Sequence, residues 1–530
     1  MTARAVVRSA LLTLVAAAAA AAVAQPSSVA SDPRAAGVAA ARAWHGEHGA
    51  AILADFAELL ALPNVASDAA GIRANAEAIA ERFRRRGASM ELLTLPDAPG
   101  APPVVFGVLP AEEGAETAPT LMLYVHYDGQ PVDAASWTFP PWTPTLTTAA
   151  LEAGGEARPL PAAGEAIDPE WRLYARSAAD DKAPLAALLA AVDALAAAGV
   201  PRRTNVKLFF EGEEEAGSPH LARYVDRYAD RLAADGWLFL DGPVHQSGRP
   251  QLFFGVRGYT CFDLTVYGAD RYLHSGHYGN WAPNPILDLS RLIASMKEAD
   301  GRVTIAGFYD TVTPLGEAEQ RALAAVPPFE DELRDELALA ASEGGNGVRY
   351  GERIALPSLN VRGIAGATVG ATARNVIPTT ATASFDLRLV AGNEPAAMLD
   401  LVAAHLRRQG YQVVAEEPSA ELRRRHPRVV RMVRREGGYP AVRTPFDSPL
   451  ARTAVAAAAA AAARQQLVLL PTLGGSLPLY VIEDRLAVPL VGVPIANHDD
   501  NQHAPDENLR LANLWYGVDL FAALLAGAAQ

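Results

Sequence analysis

Five clusters of acidic and histidine residues stand out along this 530-residue chain. They are His126-Tyr127-Asp128, Asp180-Asp181-Lys182, Glu211-Gly212-Glu213-Glu214-Glu215, Asp241 and His503-Ala504-Pro505-Asp506-Glu507. Carboxylates and imidazoles are the side chains that hold zinc-like cations. Several of them converging from separate strands is what a site for two such ions requires. The spacing suggests roles within each cluster. His-x-Asp can pair a ligating imidazole with a carboxylate that fixes its tautomer. In Asp180-Asp181 one carboxylate could bridge two cations while the other caps the following helix. Four glutamates in five positions repel one another unless solvated or neutralised by metal. Of the adjacent Glu214 and Glu215, one could ligate while the other takes a proton from activated water. Each cluster alone also fits a polar loop or a capped helix, and His498 competes with His503 as a ligand. The argument rests on their conjunction.

The elements that must position these groups follow from hydropathy patterning. Runs 104–109, 121–125, 206–210 and 237–240 read as buried strands, and 171–175 as a shorter one. Residues 183–198 form an Ala/Leu helix stopped by Gly199 and Pro201, and 43–60 has helical periodicity. From residue 252 the texture changes: strands at 252–266 and 380–390, with helices at 285–296 and 327–341. After about residue 420 the first texture returns, with helices at 450–464 and 514–528 around a strand at 488–495. The alanine run 456–463 is read as helix because alanine is the best helix former. This alternation predicts an α/β fold, a mixed sheet flanked by helices (41–252 and 419–530), interrupted by an inserted α+β domain (253–418). Loops at the carboxyl ends of strands in such a sheet share one crevice, and four of the five clusters follow a strand at that end.

Bulk properties narrow the partners. A formal net charge of −14 argues against a nucleic-acid ligand. The arginines between Arg423 and Arg435 read as a solvated helix face. Cys261 is the sole cysteine, so no intrachain disulfide is possible. It sits in a strand-like run, which disfavours a catalytic thiol. Arg4 and Arg8, the apolar stretch 11–21 and Ala22-Val23-Ala24 read as a signal peptide (1–24) cleaved before Gln25, followed by a tether at 25–40. The expectation is a periplasmic or secreted protein with no membrane span after cleavage.

Four stretches carry a resemblance: 125–132 (Val125-His126-Tyr127-Asp128-Gly129-Gln130-Pro131-Val132), 173–182 (ending Ser177-Ala178-Ala179-Asp180-Asp181-Lys182), 211–218 (ending Ala216-Gly217-Ser218) and 503–507. Through them the chain resembles the zinc aminoacylase/carboxypeptidase G/carnosinase-like dipeptidase family of di-metal peptidases, from about residue 45 to 530. The resemblance implies one metal on His126, Asp180 and Asp241 and a second on Asp180, Glu215 and His503, with Asp180 bridging. It implies Glu214 as general base and Asp128 as support for His126, and it prefers His503 to His498 because acidic residues follow it. It makes 253–418 a lid and dimerisation domain. There His274 would reach a partner subunit's site and polarise the scissile carbonyl, and Arg388 would hold the substrate carboxylate. Asn375 and the Gly474-Gly475-Ser476 turn would add substrate contacts. The chain departs from the family at Ala175, Ser177 and Ala183, where glycines are common, and in an extra stretch 149–170 that reads as a surface loop. The expected activity is hydrolysis of an amide bond beside a free C-terminal carboxylate in dipeptides or short peptides. Two divalent ions, zinc foremost with manganese or cobalt as alternatives, would serve a homodimer. An N-acyl-amino-acid amidohydrolase and a non-catalytic binding protein on the same scaffold are the competing readings.

Overall fold

The computed structural model describes residues 32–527 except 476 and 478. The segment 1–24, read as a signal peptide, the first part of the expected tether (25–31) and Ser476 lie outside the described residues. An eight-stranded mixed sheet organises the larger part of the chain. Its order is Ser89–Leu93, Val104–Leu109, Asn205–Glu211, Thr120–His126, Gly236–Phe239, Leu490–Gly492, Gln251–Phe253 and Val468–Leu470. The central four strands run parallel, while Val104–Leu109 pairs antiparallel on both of its sides.

Period-two alternation fills both faces. Leu121, Leu123 and Val125 pack into one apolar cluster with helices Pro33–Leu60, Ala183–Ala198, Pro449–Ala461 and Leu511–Ala526. Met122 and Tyr124 pack into another, with Leu221–Leu232 and Leu479–Leu486. A strand apolar on both faces is what burial between two helical layers demands.

The inserted domain is built on a second sheet of five strands: Ser358–Ala365, Thr380–Leu389, Gly258–Tyr267, Val429–Arg434 and Gln412–Val414. Helices Pro285–Ala294 and Pro395–Arg408 cover one face, where Phe262, Leu264, Phe385 and Leu387 form its core. Cys261 is buried on the strand expected for it.

Five expectations need correction. Helix Pro33–Leu60 begins inside the stretch read as a tether, capped by the Asp32 carboxylate, which accepts the Arg34 N–H. Val38 and Ala41 are buried from that helix, so 33–40 belongs to the core. The arginine-rich stretch is only briefly helical (Ala420–Arg425) and then becomes strand Val429–Arg434. Val430 and Met432 from that strand enter the core of the inserted domain, so this domain extends past 418 to at least Arg434. The helix expected over 327–341 shortens to Glu330–Glu336. The 149–170 stretch is more than a surface loop: Ala157–Arg158 is the edge of a four-stranded sheet with Thr145–Thr147, Arg172–Tyr174 and Asn508–Arg510. Arg158 also stacks over Trp171, its Cζ 3.4 Å from the ring centre. Among the described residues, no helix is long and apolar enough to cross a membrane.

Candidate metal centre

His126 is the last residue of strand Thr120–His126, and Asp241 lies two residues beyond the adjacent parallel strand Gly236–Phe239. The ladder between these strands fixes their side chains on neighbouring strand ends. Asp180 comes from the small four-stranded sheet instead, on the loop after Arg172–Tyr174. Strand Asn508–Arg510 pairs with Arg172–Tyr174, so this sheet ties the loop carrying Asp180 to the loop carrying His503.

Asp180 divides its two oxygens. Oδ1 lies 2.8 Å from His126 Nε2, and Asp241 Oδ2 lies 4.0 Å from the same nitrogen. Oδ2 lies 3.1 Å from His503 Nε2, which is itself 3.3 Å from Glu215 Oε2. His126, Asp180 and Asp241 thus form one candidate cation group, and Asp180, Glu215 and His503 a second. In each, the ligand atoms lie within 4.8 Å of one another. His498 is exposed and belongs to neither group.

The surroundings hold these groups in place. Glu507 is fully buried and accepts four hydrogen bonds: Arg176 and the Ser177 N–H on Oε2, the Ala179 and Asp180 N–H groups on Oε1. It therefore shapes the loop that presents Asp180. Asp506 accepts from the N–H and hydroxyl of Thr138. Asp128 Oδ1 lies 3.4 Å from His126 Nδ1, while its main-chain oxygen is nearer, at 3.1 Å. The Asp128 carboxylate also accepts the N–H groups of Glu214 and Glu215, both at 3.1 Å, so it clamps the glutamate turn. Gln130 donates to Glu215 and Gln502 to Asp180. Asp181 does not cap the following helix, as its position suggests. Its buried carboxylate accepts the His126 N–H instead, and helix Ala183–Ala198 has Lys182 at its N-cap with no side-chain capping bond. Sequence patterning does not single out Asn64, whose amide donates to Tyr127 O and Ser177 Oγ. It also leaves Gln502 and the Tyr124–Glu211 pair (2.6 Å) without a role.

Charge is concentrated here. Burial, then the neighbouring Asp180, pushes the Asp241 carboxyl well above its usual range. Burial lifts Glu214 to about 7. The hydrogen bond to Asp180 raises His503 to about 9. Asp180, Asp181, Asp241, Glu214 and Glu215 share this volume with two imidazoles, an excess of buried negative charge that divalent cations would offset. Nitrogen and oxygen donors of this kind suit zinc and similar ions, so the donor set fits a two-cation centre.

The remaining site candidates lie on the inserted domain and its margin. His274 and Asn375 are exposed and adjoin across a short ladder, where His274 pairs with Val376 and the Ser275 N–H donates to Asn375 O. Arg388 is partly exposed on strand Thr380–Leu389; its Nε donates to Asp386. Gly474 is half-buried and Gly475 exposed. Among the described residues, no hydrogen bond or ion pair links His274, Asn375, Gly474 or Gly475 to the acidic cluster.

A mixed α/β sheet presenting two carboxylate–imidazole groups around a shared aspartate defines a metal-dependent hydrolase of the peptidase class. The chain belongs to peptidase family M20/M25/M40, whose sequence model matches residues 122–527. It is 25% identical over 462 residues to a Cys-Gly metallodipeptidase of Schizosaccharomyces pombe, covering 84% of this chain and 88% of that protein. It is 27% identical over 466 residues to a human Beta-Ala-His dipeptidase, covering 85% and 83% respectively. Among solved structures, an M20 family metallo-carboxypeptidase from Sulfolobus solfataricus superposes with a TM-score of 0.67 at 25% identity, covering 90% of this chain and 98% of the other.

Proposed function

We propose that the chain is an exported di-zinc dipeptidase that hydrolyses the amide bond next to a free C-terminal carboxylate. The division of Asp180's two oxygens between two three-residue groups carries this reading. The printed names of two relatives, acting on Cys-Gly and on Beta-Ala-His, support a two-residue substrate. When bound, the two cations supply Lewis acidity that polarises the scissile carbonyl and acidifies water. His126, Asp180 and Asp241 would hold one ion, and Asp180, Glu215 and His503 the other. Glu214 sits on the turn beside Glu215 with its N–H held by Asp128. In this reading it accepts the proton of the attacking water and returns it to the leaving amine. Arg388 offers a planar guanidinium for the substrate carboxylate. His274 is exposed, which suits a role in a partner subunit's site within a homodimer.

The test is a panel of free dipeptides and matching N-acetyl amino acids given to the zinc-loaded mature protein, with amine release as readout. Cleavage of the free dipeptides is expected. Preferential cleavage of the acetylated set would replace this reading with a deacylase. A mature N-terminus at Gln25 in the periplasm or medium would bear out export, and an uncleaved intracellular chain would refute it. Gel filtration showing only an active monomer would remove the homodimer.

A further inference from the structure

Two of the four glutamates in 211–215, Glu211 and Glu213, belong to neither cation group, yet they are 2% and 5% exposed. A buried carboxylate is costly unless it is bonded. Glu211 is held at the strand end: its Oε2 accepts from Tyr124 at 2.6 Å, and its main-chain oxygen accepts the Tyr127 N–H at 2.7 Å. Glu213 is held by His220. Its Oε1 accepts the His220 N–H at 2.9 Å, and the ring Nδ1 lies 3.0 Å from Oε1 and 2.9 Å from Oε2. An ionised carboxylate only accepts, so Nδ1 carries a proton and shares it between the two oxygens.

Between these two anchors lies a turn with little else to fix it. Glu214–Ala216 is a single 3₁₀ turn that buries no apolar side chain, and Gly217 closes it in left-handed backbone at φ +85°. Ala216 and Gly217 are exposed. Bonds from neighbouring groups therefore decide its geometry. Asp128 holds the Glu214 and Glu215 N–H groups from one side. The main-chain oxygen of Glu213 accepts from the Ala216 and Ser218 N–H groups, and its carboxylate reaches His220. His220 opens helix Leu221–Leu232, whose Leu221, Tyr224 and Val225 are buried in the core. The Glu213–His220 contact thus ties the turn that carries Glu214 and Glu215 to a packed helix.

We propose that Glu213 and His220 are a pair of positioning residues whose hydrogen bond fixes the glutamate turn, so that Glu215 meets the second ion and Glu214 meets the attacking water. The inference rests on the dipeptidase reading for the work of Glu214. The ligand role of Glu215 supplies a readout that needs no substrate.

The experiment compares the wild type with His220→Phe, His220→Asn, Glu213→Leu and the double variant His220→Phe/Glu213→Leu. Calorimetric zinc titration gives the affinity of each ion. Values of kcat and KM on one free dipeptide are expressed per first-ion site, so unfolded protein drops out. His220→Phe keeps a ring and removes its donor. It should weaken the second ion by about tenfold and leave the first unchanged. It should also lower kcat by about 10–100-fold at unchanged KM, the cost of a misplaced base. His220→Asn returns an amide donor close to the place of Nδ1 and should recover most of both losses. Glu213→Leu should match or exceed His220→Phe, and the double variant should be no worse than Glu213→Leu, because both break one contact. A pair that only stabilises the fold would lower the urea midpoint and leave both per-site readouts at wild type, which overturns the proposal. Equal weakening of both ions, losses that His220→Asn leaves in place, or losses that add in the double variant overturn it as well. If the zinc-loaded wild type cleaves no dipeptide, the dipeptidase reading falls and the zinc titration alone decides the pair.

Discussion

The two cation groups that share Asp180 are built on different foundations. His126, Asp180 and Asp241 are all buried, and two of the three stand at the ends of neighbouring parallel strands. Their separation is set by a backbone ladder with packed helices on both faces. In the second group the Glu215 side chain is buried as well, at 4% exposed, but the His503 side chain is 53% exposed. Its members ride on a short turn and a loop, and His503 itself sits in left-handed backbone at φ +62°. Side-chain bonds from Asp128, Gln130 and Gln502 stand in for the ladder. One half of the centre is therefore a rigid product of the sheet. The other depends on loops, the part of a protein with the lowest local stability.

The largest effect should come where the two halves meet. Asp180→Asn removes the anion common to both groups, so metal analysis should show both ions lost and turnover at background. Retention of both ions would break the shared-ligand reading. Glu214→Gln should act on chemistry alone. A general base contributes about 10²–10⁴-fold, so turnover should drop by that factor while both ions stay bound. Loss of metal in Glu214→Gln would make Glu214 a ligand.

The sheet-borne half was the more legible in sequence for the same physical reason that it is rigid. Alternating apolar runs at 104–109, 121–125, 206–210 and 237–240 announce buried strands, and the polar residues just after them fall at their carboxyl ends. The strand before the Asp180 loop, Arg172–Tyr174, belongs to a separate small sheet, and its partner Asn508–Arg510 is too short to announce itself. Glu507 reads only as an acid following His503; its four donors become visible once the chain has folded, since all of them belong to the loop 176–180 and depend on tertiary approach. Strand Val429–Arg434 was hidden by its arginines, whose heads reach Glu417 and Asp400 while Val430 and Met432 turn inward. The tether failed as a reading because small residues at 35–41 suit close helix packing as well as disorder: a Cβ on Gly37 would lie 2.6 Å from Ala522 O.

The difference between the halves can be measured directly. In calorimetric zinc titrations, His503→Ala should keep one tight ion and lose the weaker, while His126→Ala should lose the tight one. A weak chelator should likewise strip the wild type in two steps, the loop-borne ion leaving first. Equal affinities for both ions would abolish the asymmetry. Glu507→Gln probes how far the Asp180 loop depends on its buried anchor. Partners behind metal ligands typically matter about 10–100-fold in metal affinity. A loss of that size in both ions is expected, because Asp180 serves both groups; a loss confined to one would tie Glu507 to a single group.

The smallest effect concerns backbone strain beside the bridging residue. Ser177 holds φ at +63°, a region costly for a residue with a Cβ. Its hydroxyl accepts from Asn64 at 2.9 Å, which anchors the loop and offsets that strain. Replacing it with glycine relieves about 1 kcal/mol of strain and forfeits a hydrogen bond worth about 1 kcal/mol. Ser177→Gly should therefore shift urea-unfolding stability by less than about 1 kcal/mol in either direction, with both zinc affinities nearly unchanged. Ser177→Ala keeps the strain and loses the bond, so it should be the less stable variant by about 1 kcal/mol. If Ser177→Ala proved as stable as the wild type, the Asn64 contact would be incidental, and the tight half of the centre would owe its rigidity to the strand ladder and Glu507 alone.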